Sequence, residues 1–233
     1  MIFKNKTVII TGATGGLGET VVRHFINKGA GVAAIGRNLS KLETLKQKYN
    51  RDNGPDIFAE DITREDDVIA VFDSILQRHG HIDILVNIAG GFAGGKSITD
   101  TGLDVWEKML NLNLTSVFLC CRQAMSYMAK QGHGKIVTIT AMAALEPKPK
   151  RAAYAVSKAG VVALTQALAA EGQPVNVQAN TIAPGIILTE ANKFDMPDAD
   201  FSKWVTPEKL AETILFLSSP EADNITGTIV KMP

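Results

Sequence analysis

Short apolar runs rich in Val, Ile and Thr alternate with amphipathic stretches of helical length from one end of the chain to the other. This alternation constrains the fold more than any other feature. The runs of strand length are Thr7 to Thr11, Gly31 to Ile35, Asp56 to Ala59, Ile82 to Asn87, Lys135 to Thr140, Val175 to Ile182 and Thr228 to Lys231. Helical patterns fall between them at Gly16 to Lys28, Ser40 to Tyr49, Glu65 to His79, Leu103 to Lys130, Ala152 to Glu171 and Pro207 to Ser218. A strand–helix–strand order sustained in this way predicts a parallel sheet covered by helices on both faces.

The fold class expected is therefore α/β, a three-layer doubly wound parallel sheet of Rossmann-like type. The break at Arg51-Asp52-Asn53-Gly54-Pro55 reads as an ordinary turn, and no Pro- or Ser-rich linker divides the chain, so residues 1–233 are expected to form a single domain. Lys plus Arg number 24 and Asp plus Glu number 24, which leaves no net charge to draw nucleic acid or anionic lipid over long range. No apolar run approaches the roughly 18 residues of a membrane span. The charged start, Met1-Ile2-Phe3-Lys4-Asn5-Lys6-Thr7-Val8, lacks the apolar core of a signal peptide. The expectation is a cytoplasmic protein with neither membrane nor nucleic acid as partner. The adjacent Cys120 and Cys121 cannot supply a disulfide framework, and His24, His79, His81 and His133 show no metal-ligand spacing, so no metal is expected.

Doubly wound sheets bind ligands beyond the carboxyl ends of their strands, so motifs at strand ends carry most information. Thr11-Gly12-Ala13-Thr14-Gly15-Gly16-Leu17-Gly18 follows the first strand and opens a helix. Glycines let the backbone approach a pyrophosphate, and the helix that follows presents free amides and its positive dipole end. Gly12, Gly16 and Gly18 are the leading candidates, with Thr14 and Leu17 in the same turn. The second strand ends in Ile35-Gly36-Arg37-Asn38, where an NAD site would offer an acid to the ribose. Arg37 instead offers a planar cation suited to a 2′-phosphate, with Lys41 one helical turn on, which favours NADP(H) and leaves NAD(H) as the alternative. A solvated arginine, with cofactor choice set elsewhere, would look the same. After the third strand, Asp61 and Ile62 stand where an adenine would be flanked, although a turn aspartate is equally natural there.

Tyr154-Ala155-Val156-Ser157-Lys158 places a phenol and an ammonium four residues apart on one helical face. A nearby cation stabilises phenolate and would pull the tyrosine down from about 10, making it a usable proton donor. By spacing alone the pair is common. Taken together, Thr11-Gly12-x-x-x-Gly16-x-Gly18, Asn87-Ile88-Ala89-Gly90, Asn113, Tyr154-x-x-x-Lys158 and Pro184-Gly185 with Thr189 resemble the short-chain dehydrogenase/reductase family over essentially the whole chain. The resemblance implies that Tyr154 is the general acid, that Lys158 lowers its pKa and holds the nicotinamide ribose, and that Asn113 helps keep a proton-relay water. It also implies that Asn87, Ala89, Gly90, Pro184 and Gly185 line the cofactor and that Thr189 holds the nicotinamide carboxamide. A small-molecule substrate is implied, as is a homodimer or homotetramer built on the long helices around the fifth strand.

The family's usual serine, thirteen positions before the tyrosine, falls on Ala141. Losing such a donor typically costs about two to three orders of magnitude in rate. Three readings are open. Thr140 supplies a substitute hydroxyl, although strand neighbours point to opposite faces; the substrate needs little polarisation; or the chain only binds nucleotide. Ala89 to Gly95 and Met196 to Trp204 resemble segments of dihydropteridine reductases, which also lack the serine and act on an already electrophilic quinonoid dihydropterin, although Arg37 departs from them. The activity expected is hydride transfer from NAD(P)H to a small carbonyl or quinonoid dihydropterin-like substrate. Phe92, Phe194, Phe201 and Trp204 would form aromatic pocket walls or simply anchor loops. The basic segment Glu146-Pro147-Lys148-Pro149-Lys150-Arg151 would either be solvated or steer an anionic substrate tail.

Overall fold

In the computed structural model, which describes residues 1–49 and 54–233, every strand joins one parallel sheet. The turn expected at Arg51 to Asn53 lies outside the described residues. The strands are β1 (Thr7–Thr11), β2 (Gly31–Gly36), β3 (Asp56–Ala59), β4 (Ile84–Asn87), β5 (Gly134–Ile139), β6 (Val177–Pro184) and β7 (Ile229–Met232). They lie in the order β3-β2-β1-β4-β5-β6-β7. The order reverses between β1 and β4, and a crevice opens at that point beyond their carboxyl ends. The doubly wound α/β fold read from the sequence is the fold observed.

Burial on both faces explains the uniformly apolar strands. Val8 and Ile10 of β1 point to one face, where they meet Val21 and Phe25 of α1 (Gly16–Asn27) and Leu210 and Ile214 of α8 (Pro207–Ser218). Ile9, between them, points to the other face, with Phe72 and Ile75 of α3 (Glu65–His79) and with Cys120, Cys121 and Met128. The two cysteines are free and buried, and desolvation pushes the Cys121 thiol up to about 12, so they behave as core residues. The short helices α2 (Leu39–Gln47) and α7 (Glu190–Asp195) flank the crevice side, each N-capped by a side chain, Asn38 and Thr189.

Three expectations need correction. The single helix expected over Leu103 to Lys130 is α4 (Leu103–Leu110), a π-helical turn at Asn111–Thr115, and α5 (Ser116–Gln131). The hydrophobic period does not reveal the interruption, which coincides with hydrogen bonds that Asn113 makes to distant backbone. Strand β6 begins later than expected, since Pro174 lacks an N–H to donate and Gln173–Val175 forms a 3₁₀ turn instead. Finally, the most apolar 18-residue window of α6 (Ala152–Gly172) and that turn has a mean hydropathy of 1.2, so by length and composition alone one stretch could cross a membrane. Here its Val161, Leu168 and Ala169 pack against the sheet.

Candidate active site

An open cleft of about 410 Å³ runs along the carboxyl ends of β1 to β4. Its lining includes Gly12, Thr14, Gly16, Leu17 and Gly18 of the glycine turn, Arg37 and Lys41 at one end, Asp61 and Ile62 beside them, and Ala89 and Gly90 at the inner end. The glycines are there for space. Gly12 has φ +69°, and a Cβ on it would lie 2.8 Å from the backbone of Ala89; one on Gly18 would overlap the carbonyl oxygen of Gly12. Gly15 caps α1 without any side-chain hydrogen bond, so no cap side chain covers the first amides of the helix. This is a cradle fit for a pyrophosphate.

Arg37 forms no ion pair with a carboxylate among the described residues, nor does Lys41. Asp61 is turned inward: its Oδ1 accepts from Thr63 N at 3.1 Å and Thr63 Oγ1 at 2.8 Å. Burial pushes its carboxyl up, but the Thr63 hydrogen bonds and then the Arg37 and Arg64 charges outweigh this and hold it below the usual range. Asn87, at the end of β4, is buried beside the cleft, and its Nδ2 donates to Cys121 Sγ at 3.2 Å while its Oδ1 has no partner among the described residues. Such an orphaned buried acceptor fits a site completed by a bound group. Thr189 packs against the glycine turn, since a Cβ on Gly16 would meet its Cγ2 at 2.9 Å. Pro184 and Gly185 end β6 outside the cleft lining, with Gly185 N donating to Met232 O at 2.7 Å.

The chemistry-bearing residues meet at Gly90. A Cβ there would lie 2.8 Å from Asn113 Oδ1 and 3.3 Å from Lys158 Nζ. Asn113 sits fully buried in the π turn and clamps the next residue, accepting from Gly91 N at 2.8 Å and donating from Nδ2 to Gly91 O at 3.0 Å and Ser157 Oγ at 3.1 Å. Its side-chain amide is thereby used within the protein. Tyr154 is half-buried, and its ring meets Phe92 edge to face at 5.0 Å.

The structure fixes the partners of two candidate side chains. Thr140 is buried and donates from Oγ1 to Lys158 O at 2.7 Å, so it anchors α6 and offers no hydroxyl to a substrate. Thr140 lies one residue past the end of β5, with its side chain turned to α6. Lys158 donates from Nζ to Ile139 O at 3.0 Å, and burial pushes its own pKa down to about 8. The Tyr154 phenol is pushed above its ordinary value by burial, which the Arg151 charge partly opposes. Two contributors escaped the sequence reading. Ser157 links Asn113 to the first turn of α6 by donating to Tyr154 O at 2.7 Å. Thr11 Oγ1 accepts from Ile88 N at 3.2 Å and Ala89 N at 3.3 Å, joining the ends of β1 and β4. Neither role has a local signal. Of the aromatic candidates, Phe92 stands beside Tyr154, Phe201 and Trp204 pack on each other at 4.7 Å, and Phe194 is exposed.

The buried Lys158 gives a stability prediction. Its shift corresponds to a cost of about 3 kcal/mol, incurred in full below pH 8, where folded and unfolded chains both hold the proton. Between pH 8 and 10.5 the folded chain sheds it first, so stability rises with pH. Lys158→Met should therefore raise the melting temperature of the cofactor-free protein at pH 7, with the advantage shrinking toward pH 10. A variant no more stable than the parent at pH 7 would contradict this account of the buried ammonium.

The cleft at a topological switch point, with its glycine turn and tyrosine–lysine helix, defines a nucleotide-binding oxidoreductase. The model of the short chain dehydrogenase family matches residues 6–200, and the chain belongs to that family. It is 31% identical over 258 residues to a 3beta-hydroxysteroid dehydrogenase of Mediterraneibacter gnavus, covering 98% of this chain and 93% of that one. It is 30% identical over 239 residues to the 3-oxoacyl-(acyl-carrier-protein) reductase FabG of Thermotoga maritima, covering 99% and 97%. Among solved structures, ElxO with NADP bound superposes with a TM-score of 0.91 at 28% identity, covering 97% of this chain and 96% of that one.

Proposed function

We propose that this protein is an NADP-preferring reductase that delivers hydride to a small carbonyl or comparably electrophilic substrate, with Tyr154 as the proton donor. The carrying observation is a single cleft whose two ends have different chemistry. One end holds Arg37 and Lys41 without carboxylate partners among the described residues, and at the other Asn113 and Lys158, the latter on the tyrosine helix, flank Gly90. Gly12, Gly16 and Gly18 would take the pyrophosphate, Arg37 a 2′-phosphate, Asp61 and Ile62 the adenine. Ala89, Gly90, Lys158 and Thr189 would take the nicotinamide half. A bound NADPH supplies the hydride.

Tyr154 then gives its proton to the substrate oxygen and recovers one from solvent. Burial keeps the phenol protonated through the neutral range, as a donor needs to be. With Ala141 in place of a hydroxyl, polarisation of the substrate oxygen rests on Tyr154 alone, which suits substrates of high intrinsic electrophilicity, a quinonoid dihydropterin among them. The oxo and hydroxy groups in the names of FabG and the steroid dehydrogenase support the carbonyl reading. The exposed Leu103, Phe118 and Val156 on α4, α5 and α6 support a homodimer or homotetramer.

Steady-state NADPH oxidation with a panel of carbonyls and quinonoid dihydropterin tests the activity; tight NADPH binding with no turnover across the panel rejects it. Arg37→Asp tests the cofactor assignment. Exchanging a phosphate partner for a ribose acceptor should move the NADPH/NADH ratio of kcat/KM by about 100-fold toward NADH. An unmoved ratio refutes the role given to Arg37.

A further inference from the structure

Four of the arginines, Arg23, Arg64, Arg78 and Arg122, are paired with carboxylates. Among the described residues, Arg37 and Arg151 are the two arginines without such a pair. The first serves the cofactor end of the cleft. The second lies near the tyrosine: its guanidinium is 5.6 Å from the centre of the Phe92 ring, and that ring meets the Tyr154 ring edge to face at 5.0 Å. Arg151 is thus one aromatic ring from the proton donor, and its charge is felt there.

The arrangement is built by two loops that interlock. Gly95 N donates to Lys150 O at 2.8 Å, and Lys150 adopts the left-handed φ of 63° that non-glycine residues seldom take. A Cβ on Gly94 would meet Phe92 Cζ at 2.7 Å and Lys150 O at 3.0 Å, so the two segments pass close together at this point. Arg151 is presented from this junction, with Lys148 and Lys150 in the same segment and Glu146 as its one acid. The cation–ring contact with Phe92 ties down the guanidinium, and among the described residues no carboxylate takes its N–H groups, which leaves them for a ligand.

Resting on the reductase reading above, we propose that Arg151 is a specificity-determining residue that binds an anionic group, carboxylate or phosphate, on the carbonyl substrate. The substrates favoured are then oxo acids or phosphorylated ketones in preference to neutral ketones of the same length.

The test uses matched pairs: acetoacetate with methyl acetoacetate, levulinate with methyl levulinate, and dihydroxyacetone phosphate with dihydroxyacetone. The parent should favour the charged member of at least one pair about 10- to 100-fold in kcat/KM, with the carboxylate and phosphate pairs showing which anion is read. Arg151→Ala should bring that ratio close to one, and Arg151→Lys, which keeps the charge without the fork, should fall between. A ratio near one in the parent, or one that survives in Arg151→Ala, overturns the proposal. If no pair is turned over although NADPH binds, the reductase reading is judged separately, on the wider panel that includes quinonoid dihydropterin. The anion site is then judged by calorimetry on the NADP⁺-loaded protein. Levulinate or dihydroxyacetone phosphate binding that disappears in Arg151→Ala retains it, and binding that is absent or equal in both proteins rejects it.

Discussion

Tyr154→Phe should lower kcat about 10³-fold while leaving the dissociation constant for NADPH within about twofold. The two effects separate because the phenol oxygen makes no hydrogen bond to the protein among the described residues, whereas the ring packs edge-on against Phe92. Removing the oxygen keeps that packing and orphans no partner, so stability should change by less than about 0.5 kcal/mol. Single-turnover rates, fluorescence titration with NADPH and thermal unfolding measure the three quantities. Unchanged turnover would remove Tyr154 as proton donor. A loss of cofactor affinity as large as the loss of rate would instead make it a binding residue.

Gly18→Ala should weaken NADPH binding by more than about 100-fold and destabilise the fold by roughly 1–3 kcal/mol. The added Cβ would overlap Gly12 O and lie 2.8 Å from Ala13 Cα, and both are backbone atoms with no flexible end to yield. The turn has to open, and with it the amides at the head of α1. Gly15→Ala is the matched control: its nearest obstacle is Gly12 O at 3.5 Å, an ordinary contact, so binding should be nearly retained. Equal affinities in the two variants, read by titration with NADPH, would show that tight packing of the turn is not what the cofactor requires.

What could be read without coordinates is what a single element or turn encodes. Hydrophobic period marked the bounds of α3 and α8 as observed, and the uniformly apolar strands announced a sheet buried on both faces. The glycine turn and the Tyr154–Lys158 spacing declared themselves, since each needs a few residues at fixed offsets.

The tertiary structure decided which groups those residues spend their hydrogen bonds on. Thr140 was a candidate hydroxyl until packing brought the Lys158 carbonyl, 18 positions on, to its Oγ1. The spacing put Lys158 beside the tyrosine, but only the fold shows its ammonium buried and donating to Ile139 O. The π turn at Asn113 coincides with a clamp in which Gly91, 22 positions back, takes both ends of its carboxamide. Periodicity and propensity are summed along neighbouring residues and so are visible in order. Desolvation and hydrogen-bond partnership depend on which distant segments the sheet order sets side by side, and the linear pattern carries no record of that distance.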